Sequence, residues 1–112
     1  MREFIKFPAD GFYVVLEPFQ VEHMGFRPGE PVGIIRWGTA SYVRITKTGQ
    51  ECGGWANYME VEHMPKLRLL SCEEVSALAG GKKITPESWL TITAMTQICK
   101  FITGSVSLTP ES

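Results

Sequence analysis

The strand-like runs in the first seventy residues lie too close together to be joined by parallel crossovers, and that spacing limits the fold more than any other feature of the chain. A parallel connection needs roughly a dozen residues or more, usually including a helix. Here Phe12-Tyr13-Val14-Val15-Leu16 is aromatic and β-branched, bounded by Asp10-Gly11 before it and Pro18 after it. Pro31 to Trp37, Tyr42 to Lys47 and Trp55 to Val61 follow, and Lys66 to Leu69 opens after Pro65. Phe19 to Glu30, with Gly25, Pro28 and Gly29, reads as a long loop. Within the third run Val43 and Ile45 alternate with Tyr42, Arg44 and Thr46, so the two sets face opposite sides. The expectation is an antiparallel five-stranded sheet within residues 3–70. A small SH3-like barrel is the closed form that such a meander can take.

Beyond Leu70 the punctuation changes. Ser71-Cys72-Glu73-Glu74 is a capping box, Val75, Leu78 and Ala79 follow, and Gly80-Gly81 supply the left-handed conformation that ends a helix. Thr85-Pro86-Glu87 signals a second start, and the spacing predicts a helix running to Ile102 or Thr103 with Gly104 as its stop. Leu90 to Ala94 alternate with period two, which leaves a strand there as the competing reading. The chain therefore reads as one α+β domain over 1–112: a β-rich part over 3–70, two C-terminal helices within 71–104, and a tail over 105–112. Its expected core is Val14, Leu16, Ile34, Val43, Ile45, Val61, Leu67, Leu69, Val75, Leu78, Ile92, Met95, Ile98 and Ile102.

Composition excludes several classes. At 112 residues and 44% hydrophobic the chain is neither a disordered tail nor a pair of ordinary domains. Eleven Lys and Arg against 12 Asp and Glu give a net charge of −1, which supplies no long-range attraction for a phosphate backbone. No apolar run approaches the ~20 residues that span a bilayer, and charges interrupt Met1 to Phe7, so neither a membrane span nor a signal peptide is read. Cys52, Cys72 and Cys99 are odd in number and lack CxxC spacing, which suits reduced thiols and a cytoplasmic location. His23, His63 and the cysteines are too widely spaced for a zinc site, and no cofactor motif is present.

Few residues suggest chemistry. Cys52 lies in the glycine-rich stretch Gln50-Glu51-Cys52-Gly53-Gly54, where a nucleophilic thiol would need His23 or His63 as base. Glu60 and Glu62 read as the solvated face of a strand, and Gly80-Gly81-Lys82-Lys83 lacks the spaced glycines of a phosphate loop. Arg36, Trp37, Tyr42, Arg44 and Lys47 put cations and rings on two adjacent strands, the combination that holds single-stranded nucleic acid. The second helix carries more apolar residues than one stripe can hold, with no charge between Glu87 and Lys100. Trp89, Ile92, Met95, Ile98, Phe101 and Ile102 are thus the expected contact surface of a non-enzymatic binding or assembly protein, self-associating as a homodimer. A single-stranded nucleic-acid module is the alternative, and a small-ligand-binding protein or cysteine-dependent enzyme the second.

Overall fold

A computed structural model describes residues 9–36, 42–52 and 54–108. The chain is α+β: a five-stranded antiparallel sheet, a separate two-stranded hairpin and two C-terminal helices. The main sheet contains β1 (Gly11–Val15), β4 (Pro31–Arg36), β5 (Tyr42–Lys47), β6 (Ala56–Glu60) and β7 (Leu67–Leu69), in the order β6-β5-β4-β1-β7. Each strand pairs antiparallel with its neighbour; β4, β5 and β6 pair in chain order across short connections, whereas β7 returns to pair with β1. Among the described residues the sheet stays open, with β6 and β7 as its two ends.

The segment expected to be a loop holds the hairpin of β2 (Phe19–Val21) and β3 (Met24–Phe26). Phe19, Val21 and Phe26 face inward while Gln20 and Gly25 stay exposed. Phe19 stacks on Phe26 at 5.0 Å between ring centroids. The connecting pair, Glu22-His23, carries no glycine, and Glu22 takes a left-handed φ of 54° instead. That unusual turn is why ordinary turn signals do not reveal the hairpin.

Both faces of the sheet are covered. On one, Tyr13, Val15, Val32, Ile34, Val43, Ile45, Ala56 and Met59 pack under the hairpin. On the other, Phe12 and Val14 meet the helices through Val75, Met95, Cys99 and Ile102. Every residue of β1 is buried, as expected of a central strand clad on both sides. Leu16 and Leu69, expected in the core, are exposed. Leu16 lies beyond the end of β1, and among the described residues Leu69 sits on a strand flanked only by β1. Val61, Leu78, Ile92 and Ile98 are half-buried at the margins.

Helix α1 (Cys72–Leu78) begins at the predicted capping box. Ser71 Oγ accepts from the Glu74 amide at 3.1 Å, and a Glu74 carboxylate oxygen accepts from the Ser71 amide at 2.9 Å. Gly80 and Gly81 end it with φ of 76° and 84°. The Arg68 guanidinium, with the Ser71 amide, holds the Glu74 carboxyl below its ordinary range. A depressed folded value means that the contribution is present in full above the ordinary glutamate range and fades as pH falls through the folded value. Glu74→Gln should therefore flatten the acid limb of stability, checked by urea midpoints between neutral pH and about pH 3. A limb as steep as the wild type's would contradict this pairing.

The second helix is shorter than its spacing predicts. Pro86–Trp89 form a 3-10 turn, and Thr91 then adopts an extended conformation and restarts the chain as α2 (Ile92–Phe101). Thr91 Oγ1 accepts from the Ala94 amide at 3.0 Å, so the β-branched residues that suggested a strand make a second cap. Gly104 follows with φ of 82°. Among the described residues, no helix is long and apolar enough to cross a membrane.

Candidate functional site

Helix α2 spends its apolar side on the sheet. Met95 and Ile102, two of the expected contact residues, are fully buried within the single chain. Trp89 is half-buried with its ring edge-to-face on Phe12 at 5.2 Å, and Ile98 packs into the same core. Ile92 is half-buried. Of the six expected contact residues only Phe101 is substantially exposed, at 51%, and Lys82 Nζ lies 4.8 Å from its ring centre. The outer face is otherwise Thr93, Gln97 and Lys100. Composition alone made this helix look apolar all round. The second covered face of the sheet absorbs the excess.

The basic–aromatic set is divided as well. Arg36 pairs in register with Val43 and Lys47 with Val32, which places both cations on the hairpin side. Each is already engaged: Arg36 lies 3.8 Å from Asp10, and Lys47 donates to Glu30 at 2.9 Å while sitting 4.8 Å from the Phe26 ring centre. Tyr42 and Arg44 point to the helix side. Trp37 lies outside the described residues. The described members therefore do not form one surface for a nucleic-acid strand.

Cys52 is likewise separated from the histidines. Its thiol packs among the helix-side core residues, whereas the His63 ring stacks on Phe19 on the hairpin side, 5.2 Å between centroids. His23 belongs to the hairpin turn, so the thiol–imidazole arrangement required for Cys52 nucleophilic chemistry is not assembled. Glu62 falls in the 3-10 turn Val61–Lys66 rather than beside Glu60 on a strand. Among the described residues, no group of three or more His, Cys, Asp or Glu side chains is placed to hold a metal ion.

What the fold does leave outward is the β6 edge. Val43 pairs with Met59 and Ile45 with Ala56, so two residues of β6, Asn57 and Tyr58, stand opposite the single Arg44. This bulge lets Ala56 and Met59, three apart, enter the same core. It also leaves Tyr58 beside Tyr42, edge-to-face at 5.9 Å. Tyr58 is 61% exposed, more than any other described aromatic residue, and Tyr42 is 38% exposed. Helix α2 lies over the other end of these strands, near Gly33 and Thr46.

The edge backbone is held by a side chain. The Asn57 amide donates to Glu22 Oε1 at 3.3 Å. The left-handed turn residue thus supplies the acceptor that a further strand would otherwise provide. Tyr42 stood among the residues singled out in the sequence, but Tyr58 did not. Its signal was a large ring beside Asn57 in a run otherwise read as a regular strand, and the bulge that exposes it has no one-dimensional signature. No protein-family model, curated protein or solved structure matches the chain, so the site is read from its own residues.

Proposed function

We propose that the chain is a small non-enzymatic binding or assembly protein that acts through protein–protein contacts, with the β6 edge as its contact and a second copy as its partner. The observation that carries this reading is the pair of exposed tyrosines, Tyr58 on the end strand β6 and Tyr42 on β5 beside it. Tyrosine is enriched where interfaces concentrate their energy, because a rigid ring covers much area at little entropic cost. An open edge adds main-chain hydrogen bonds once a strand arrives. In this reading the Glu22 carboxylate holds the Asn57 amide until an incoming carbonyl replaces it. Edge-to-edge pairing about a two-fold axis is self-complementary, and a net charge of −1 offers little repulsion between copies. A cytoplasmic location belongs to the same proposal, because three cysteines without CxxC spacing do not read as a secreted disulfide framework.

Sedimentation velocity at several concentrations tests this. The wild-type chain should shift from monomer to dimer by roughly tens of micromolar, and Tyr58→Lys should weaken the dimer by about thirtyfold, the effect of losing a contact worth about 2 kcal/mol. A wild-type chain that stays monomeric throughout, or a Tyr58→Lys variant that dimerises equally well, would rule out this contact.

A further inference from the structure

Two cysteines distant in sequence meet where the segment after β5 touches α2. Cys52 is half-buried just beyond the 3-10 turn Gly49–Glu51, and its thiol approaches the Thr96 carbonyl of α2 at 3.9 Å. Cys99 lies one helical turn after Thr96, fully buried, and Cys52 packs against the same core cluster that contains it. We propose that Cys52 and Cys99 are a redox pair that closes to an intramolecular disulfide, stapling this turn to α2.

The two walls joined in this way bound a cleft of about 360 Å³. Gly49 and Glu51 line one side, Ile102 and Gly104 the other, and the Lys47–Glu30 ion pair lies between them. The walls already approach closely: a β-carbon on Gly49 would stand 3.0 Å from the Ile102 carbonyl oxygen. Oxidation would fix this cleft covalently, whereas in the dithiol state packing and hydrogen bonds such as Trp55 Nε1 to Thr96 Oγ1 at 3.0 Å tie the segment to α2.

The oxidant is a low-molecular-weight disulfide such as oxidised glutathione. The Cys52 thiolate, the more accessible of the two, attacks one sulfur and expels the first glutathione thiolate, which takes up a proton. Cys99 sulfur then attacks Cys52 sulfur in the mixed disulfide. The S–S bond to glutathione breaks, and the second glutathione leaves as a thiol with the proton that Cys99 gives up. Two protein thiols are oxidised and one glutathione disulfide is reduced to two thiols. Burial, with the neighbouring Cys52 sulfur, pushes the Cys99 thiol well above its ordinary range. The second step should therefore be the slow one and should accelerate as pH rises.

The test uses the whole chain treated with oxidised glutathione, then intact mass, peptide mapping and thermal unfolding. The expected product has lost two hydrogens, joins the Cys52 and Cys99 peptides, and melts roughly 10 °C higher, reversibly with dithiothreitol. Cys72→Ser should behave as wild type, and Cys52→Ser should show neither the link nor the shift. A stable glutathione adduct on Cys52, a bond to Cys72, or three thiols left free would overturn the proposal. Mapping of the wild-type chain decides the outcome even if a cysteine variant folds poorly.

Discussion

Phe12→Ala should lower the unfolding free energy by about 3–5 kcal/mol, the range for removing a fully enclosed ring. Small domains commonly have roughly 5–15 kcal/mol in total, so the variant should sit near the edge of folding at room temperature. Phe12 occupies β1, a strand paired on both sides, and has no exposed surface. Its ring meets the edge of Trp89 and belongs to the core between the sheet and the helices. Truncation leaves a void that neither rigid neighbour can fill. Chemical denaturation monitored by circular dichroism gives the value, and Phe12→Leu should lose much less. A loss below about 1 kcal/mol would show that the helices do not enclose this side chain.

Gly33→Val should cost about 3 kcal/mol by the opposite mechanism, overfilling. Gly33 pairs with Phe12 on one side and Thr46 on the other, directly beneath α2. A β-carbon there would stand 3.0 Å from Cys99 Sγ, 3.2 Å from Met95 Sδ and 3.3 Å from Thr46 Cγ2. One methyl already requires its neighbours to yield, so Gly33→Ala should cost less than valine but remain measurable. Adding Cys99→Ala to Gly33→Ala should recover part of that loss, because the sulfur is the nearest obstruction. Additive losses in the double variant would place α2 farther from the strand than these distances.

The antiparallel sheet and the capping box were legible because both follow from local rules. Short connections force antiparallel neighbours, and Ser71 with Glu74 satisfies two helix-end amides whatever packs nearby. The β2–β3 hairpin was not legible, since Glu22 and His23 make its turn without the usual glycine or asparagine. The burial of α2 was not legible for a different reason. How much apolar surface a helix can hide depends on how many faces of the sheet are available, and periodicity within the helix does not contain that number. A clue lay elsewhere: Phe12 to Val15 is an unbroken apolar run, the mark of a strand buried on both faces rather than one. At the candidate contact, Tyr42 could be seen and Tyr58 could not, because one inserted residue in β6 decides which way that ring points.

A sheet clad above and below has consequences for how such a chain can change. Its three plies, hairpin, sheet and helices, leave the perimeter as the place where another molecule can be met by backbone as well as side chain. Substitutions along that rim alter what the molecule recognises while the laminate beneath keeps its shape, so new specificity and retained stability can be selected at separate positions.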